Sequence, residues 1–340
     1  MPHPDAPSRP DDVLIITNGD SAVARIEEAR IAGAILPWRD VLHDGPVPAT
    51  GGLERLSAIR SAFIASDLGL GADEVAAEFT ARDAAVRGHA GFARIEIWLE
   101  HDLYDQLQLL QILDFFHAEN RTEGLYLVQA DDYLGLQGPE AMRRLADGAA
   151  PVTRDQLALA DAAWAAFTAQ TPHRLARLAE SDTSALPHLA PALKRLLGEL
   201  PDPVRGLTLT EERALGGLVE QDATTGELFR RVTEQDEAQF LGDASFFRRL
   251  DSLAFSDDPL IEGLPGPSPE YCGLGAGPQL GYAESARARL RLTKTGRAVM
   301  AGRVDHRVIN RIDHWVGGVH VSPAALIRYD RAHGQLVAQD

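Results

Sequence analysis

Three polar loops hold most of the side chains in this chain that are suited to chemistry. They are Asn18-Gly19-Asp20-Ser21, the run Arg39-Asp40-Val41-Leu42-His43-Asp44-Gly45-Pro46, and Glu100-His101-Asp102 with Asp105 and Gln106 just beyond it. Carboxylate and imidazole at this density suit proton transfer or a hard cation. Asp40, His101 and Asp102 are the candidates for proton transfer, and Ser21 completes the candidate catalytic set by holding an anion. Asn18, Gly19, Asp20, Ser21, Trp38, His43, Gly45, Glu100, Asp105 and Gln106 are the candidate ligand contacts. A helix opening at Ser21 would aim free N–H groups at that anion. The plainer alternative makes Asp20 or Ser21 an N-cap and leaves the loop acids as solvated charge. Trp38 and Trp98 end strand candidates, so they either wall a ring-shaped ligand or pack in the core. These residues name neither a metal nor a cofactor.

The elements that must position the loops alternate in type. Val13–Thr17, Ala34–Trp38, Arg94–Leu99 and Leu125–Gln129 read as short buried strands. Helical spacing separates them, at Ala22, Val23, Ile26 and Ala29 with Gly33 as the stop, and at Leu53, Leu56, Ile59 and Phe63. It recurs at Val75 and Phe79, and at Leu103, Leu107, Leu110, Leu113 and Phe116. Strands that alternate with helices predict a mostly parallel, Rossmann-like sheet covered on both faces, with ligands at the carboxyl ends of its strands. The fold class is therefore α/β over residues 12–135, followed by a helical connector at 136–204. Residues 205–321 have the order of a winged-helix-like α+β domain: helices opening at Thr208, Thr224 and Asp243, then wing strands Pro259–Leu264 and Ala288–Leu292. A Gly/Pro loop, Pro265 to Gly281, joins those strands and contains Gly273-x-Gly-x-Gly277, which follows no strand and reads as a linker. Residues 322–340 form a tail.

Composition excludes several classes. No run approaches the ~20 apolar residues of a membrane helix, so no membrane partner is expected. Met1 to Asp12 reads as a frayed tail, not a signal peptide. A single cysteine, Cys272, rules out an internal disulfide and a multi-thiolate zinc site, and a cytoplasmic location is expected. The only lysines, Lys194 and Lys294, follow no glycine-rich loop, which excludes a P-loop. Net charge is −17, and through residue 135 there are 10 Arg against 23 Asp and Glu. From Arg287 to Arg311 eight basic residues face only Asp305. Residues 205–330 still carry 15 basic and 18 acidic side chains, so nucleic acid is not favoured as a partner. The basic strip is expected to dock on the acidic first domain.

Gly19-Asp20-Ser21 resembles the opening block of GDS-type serine esterases, but Asp40-x-x-His43 and Asp114-x-x-His117 come too early to supply that family's base. His101-Asp102 with His89 resembles the metal phosphohydrolases of the HD type, which are all-helical, whereas this pair follows a strand. A broader likeness covers residues 13–135. Ile16-Thr17-Asn18-Gly19-Asp20-Ser21-Ala22, Leu36-Pro37-Trp38-Arg39-Asp40-Val41-Leu42-His43-Asp44-Gly45-Pro46 and Trp98-Leu99-Glu100-His101-Asp102-Leu103-Tyr104-Asp105-Gln106-Leu107 together resemble the bacterial family known as domain of unknown function 1835. Ile312-Asp313-His314-Trp315-Val316-Gly317-Gly318-Val319-His320 is similar to the tail of its longer members. The resemblance implies no particular reaction. The reading is an enzyme, or a degenerate one, that takes a small polar or phosphate-bearing ligand. Two alternatives stand beside it: a one-component regulator that senses a ligand and binds DNA, and a protein-interaction module. Oligomeric state is not fixed by any of this.

Overall fold

A computed structural model describes residues 12–267, 286–324 and 327–337. The N-terminal tail, Cys272 and the Gly273–Gly277 linker lie outside the described residues. The first half is built on β1 (Val13–Thr17), β2 (Ala34–Pro37), β3 (Arg94–Leu99), β4 (Leu125–Gln129) and β5 (Ala150–Pro151), arranged β2-β1-β3-β4-β5. The first four strands are parallel, and β5 runs antiparallel to β4. Sequence periodicity misses β5 because two residues show no alternation. Side chains of successive strand residues point to opposite faces. Leu14, Ile16, Ile95, Ile97, Leu99, Leu125 and Leu127 therefore join one apolar cluster, and Val13, Ile15, Trp98 and Val128 another.

Two layers of helix cover the faces. α1 (Asp20–Glu28) and α5 (Pro139–Asp147) bury Ala22, Ile26 and Met142 against the second cluster. α1 stops five residues before Gly33, where Arg30 takes a left-handed φ of 57°. The opposite layer begins with α2 (Leu53–Leu68), α3 (Ala72–Arg87) and α4 (Leu103–Ala118). α4 is enclosed on most sides, burying Gln106, Gln108 and Gln111 along with its leucines and phenylalanines. It packs against α6 (Arg154–Phe167) and α8 (Leu189–Leu197), with α7 (His173–Ala179) between those two in the chain. The apolar core continues without a gap across residue 135, since Leu157, Phe167, Leu193 and Leu197 belong to the same cluster as Leu14.

Residues 205–309 form a second core. α9 (Leu209–Gly216) and α10 (Thr225–Thr233) both open with reciprocal capping boxes, Thr208 with Glu211 and Thr224 with Glu227. α11 (Asp243–Ala254) follows, and β6 (Ala223–Thr224), β7 (Ile261–Glu262) and β8 (Arg289–Leu292) make an antiparallel sheet in the order β6-β8-β7. The strands are shorter than the Pro259–Leu264 and Ala288–Leu292 runs. The chain then returns to the first core through β9 (His314–Val316) and β10 (Val319–Val321), whose Val316, Val319 and Val321 lie in the same cluster as Leu14. A last hairpin pairs β11 (Arg328–Asp330) with β12 (Gln335–Val337).

The two halves meet through α11, and the contact is not the one that net charge suggests. Phe247 packs with Ile64, Ala65, Leu68, Val75 and Phe79 of α2 and α3. Arg248 pairs with Asp67 at 2.7 Å and Asp44 at 3.4 Å, and Arg249 with Asp44 at 3.2 Å. The basic strip expected to dock here makes local pairs instead. Arg291 meets Glu262 at 2.7 Å, Arg289 meets Asp222 at 3.9 Å, and Arg297 donates to the Val219 carbonyl.

Candidate functional site

From β1 the chain steps outward to β2, then crosses back over β1 to β3. The strand order thus reverses between β1 and β3, and an α/β sheet opens its ligand crevice at such a point, beyond the carboxyl ends of the strands. Asn18 leaves β1 there and Glu100 leaves β3. Asn18 Nδ2 donates to Asp105 Oδ2 at 3.0 Å, and the Glu100 N–H donates to Asp105 Oδ1 at 2.7 Å. Asp102 caps α4 by accepting from the Asp105 N–H at 3.1 Å, which aims the first turn of that helix at the crevice. Glu100 Oε1 accepts from the Leu134 N–H at 2.7 Å, and Gln106 Nε2 donates to the Glu100 carbonyl at 2.7 Å.

One ligand atom from each of Glu100, Asp102 and Asp105 lies within 4.8 Å of the others. The three residues are 5%, 4% and 1% exposed. Burial is the main cause of their raised pKa values, and mutual repulsion adds to it. Asp102 is pushed up to about 7, while Glu100 and Asp105 move in the same direction. A carboxyl near 7 at neutral pH can both give and take a proton. His101 stands on the solvent side, 5.4 Å from the Tyr133 ring and 6.0 Å from His188. Burial, and then the neighbouring His188, lower its pKa. His101 and Leu103 help to line a 750 Å³ cavity that also receives Lys194, Arg195, Arg213 and Arg331. Each of those four cations also meets a carboxylate: Lys194 meets Glu180, Arg195 meets Glu199 and Asp236, Arg213 meets Asp236, and Arg331 meets Glu212.

The structure brings the first and third loops together, while the second meets them through Arg39 and buries its Asp40 and His43. Asp40 is fully buried, with Oδ1 bound by Arg60 at 2.9 Å and Oδ2 unpartnered. Its burial and its bond to Arg60 lend the expected proton transfer no support. His43 is 5% exposed, packed edge-on against Phe240 and Tyr104, with both ring nitrogens unpartnered. Burial lowers its pKa to about 4, so it is neutral at pH 7. Gly45 is required because its φ is 71° and a Cβ would collide with the Phe63 ring. Trp38 is fully buried, donates to Gln111 Oε1 at 2.8 Å and carries the Arg82 guanidinium 4.2 Å over its ring. Trp98 lies in the cluster on the other sheet face. No shared aromatic wall exists, and Trp38 is core. Asp20 is exposed and forks onto Arg39 at 2.6–3.1 Å. Gly19 precedes α1 in extended backbone with no side-chain cap, and Ser21 is exposed beside Gly135.

Asp44 belongs to a second cleft of 470 Å³ between the halves, lined also by Gly45, Arg248, Arg249, His314 and Trp315. Burial opposes its ionisation, but His43, Arg249 and Arg248 more than offset this and hold its pKa below the usual range. The sequence reading missed Arg60, Arg248 and Arg249. Arg60 had a visible signal: it lies four residues after Leu56 and seven after Leu53, on the buried face of α2. The two other arginines had none, because their partners are about 200 residues away. No known family profile matches the chain, and no curated protein matches it.

Proposed function

We propose that this protein is an enzyme that binds a small phosphate-bearing or similarly anionic ligand at the β1/β3 crevice. The observation that carries the reading is the buried Glu100–Asp102–Asp105 cluster at the reversal of strand order, with Asp102 near 7. His101 also lines the 750 Å³ cavity, where Lys194, Arg195, Arg213 and Arg331 would have to turn from their carboxylate partners to meet an anionic group. In this reading Asp102 and His101 pass protons, and Asn18 orients Asp105. The blocks around Asn18, Asp44 and Glu100 support membership of the domain of unknown function 1835 family, which itself names no reaction.

A thermal-shift series with inorganic phosphate, pyrophosphate and nucleoside monophosphates tests the reading. One of these probes at 100 times its Kd should stabilise by about 2.7 kcal/mol. His101→Ala, at a half-exposed position, should keep the unliganded Tm and lose most of that gain. No response to any of them, or an equal response in the variant, defeats the proposal.

The regulator reading stands second. The order of α9, α10, β6, β7 and β8, with β8 between β6 and β7, supports a winged-helix-like module. Its third helix, α11, is the element that would enter a DNA groove, yet that helix spends Phe247, Arg248 and Arg249 on the first half of the chain. The same contact gives the interaction-module reading an internal partner.

A further inference from the structure

Most buried carboxylates elsewhere in this fold meet arginines, the capping-box acid Glu211 being an exception. Asp40 has Arg60, Asp83 has Arg82, Asp44 has Arg248 and Arg249, and Glu199 has Arg195. Among the described residues no ion pair reaches Glu100, Asp102 or Asp105, although one oxygen of each lies within 4.8 Å of the others. Three adjacent carboxylates removed from water need compensating charge. We propose that Glu100, Asp102 and Asp105 together hold one divalent hard cation of the magnesium, manganese or calcium class.

The geometry suits such an ion. Oxygen ligands at ~2.0–2.6 Å from a hard cation lie up to about 4–5 Å apart across it, so oxygens within 4.8 Å need little movement. Glu100 and Asp102 are each oriented through one oxygen, by the Leu134 and Asp105 N–H groups, and Asp105 through both, Oδ1 by the Glu100 N–H and Oδ2 by Asn18 Nδ2. Metal-ligating carboxylates carry outer hydrogen bonds of this kind.

A separate observation points to a missing ligand. Gln106 is 1% exposed; its Nε2 is fixed on the Glu100 carbonyl, and its Oε1 has no partner. Thr17, fully buried at the end of β1 and next to Asn18, likewise leaves Oγ1 unpartnered. A hard cation keeps bound waters, whose O–H groups could donate to unpartnered oxygens of this kind. The inference shares its crevice with the function proposed above and rests on that reading only for its biological use: with the ion bound, Asp102 stays ionised and His101 alone passes protons.

The test uses the full chain, stripped with a chelator, and Mn²⁺ alone as the probe. Electron paramagnetic resonance of free Mn²⁺ at pH 7.5 should show one ion per chain with Kd below about 1 mM. Glu100→Gln and Asp105→Asn should each weaken binding at least tenfold, on the order of an outer-shell loss or more. Exposed Glu140→Gln should leave it unchanged. Asp102→Asn keeps the helix cap and guards against a folding defect in the other two variants. It too should weaken Mn²⁺ binding while its circular dichroism stays native. No saturation below about 1 mM, or full binding in Glu100→Gln and Asp105→Asn, overturns the cation. Phosphate-probe stabilisation that persists in chelator while Mn²⁺ fails to bind overturns the cation and leaves the function standing. Mn²⁺ binding with no response to any phosphate probe does the reverse.

Discussion

Replacing Arg60 with alanine should unfold this protein more readily than any surface change, because that one side chain fastens the whole second loop. Its Nε donates to Asp40 at 2.9 Å, Nη1 to the Asp44 carbonyl at 2.7 Å and the Pro46 carbonyl at 3.2 Å, and Nη2 to the Val41 carbonyl at 2.7 Å. Arg60 and Asp40 are both fully buried. Removing one partner of a buried pair costs about 3–5 kcal/mol, since the other charge stays buried without compensation. The orphaned carbonyls push the total toward the upper end of that range. At roughly 2–4 °C per kcal/mol for a chain of this size or somewhat smaller, the Tm should fall by about 6–20 °C. Urea unfolding of wild type, Arg60→Ala, Asp40→Asn and the double variant gives the coupling directly. The double variant should lose less than the sum of the singles. A loss under about 1 kcal/mol in Arg60→Ala would refute the argument that this pair holds the loop. It would also reopen Asp40 to a role in binding.

Three further outcomes follow from the same geometry. Because burial raises Asp102 to about 7 in the folded state, its contribution to stability is whole below pH ~4 and is lost as pH rises through 7. In chelator, Asp102→Asn should therefore match wild type near pH 4 and exceed it at pH 8 by on the order of 3 kcal/mol; a pH-independent difference would contradict the buried acid. Arg249→Ala strips Asp44 of a partner at the contact between halves, so it should cost about 2–4 kcal/mol and speed proteolysis between them, whereas unchanged proteolysis would show that Phe247 alone suffices. With Arg248 and Arg249 committed to Asp67 and Asp44, duplex DNA should bind no tighter than the micromolar range at ~150 mM salt, and nanomolar, sequence-selective binding in an anisotropy titration would promote the regulator reading.

The sequence by itself determined the strands and the crevice. β-branched and leucine-rich runs of four to six residues, separated by helical spacing, fix a parallel sheet wherever both faces must be dry, and the polar residues that follow β1 and β3 then fall at its carboxyl edge. Asn18, Glu100, Asp102, Asp105 and Gln106 were legible for that reason. Their chemistry depends on elements that adjoin in the sequence or on a strand pairing that periodicity implies. Only the tertiary structure decided the rest. Whether a polar loop faces a ligand or an arginine depends on what packs over it, and α2 brings Arg60 across to Asp40 from 20 residues away while α11 brings Arg249 to Asp44 from 205. Composition could not assign these pairs, because a net charge says how much charge each half carries and nothing about which side chain is desolvated. Trp38 shows the same limit: a tryptophan at a strand end can serve a ligand or a core, and the Gln111 side chain and Arg82 guanidinium that claim it lie on helices 73 and 44 residues further on.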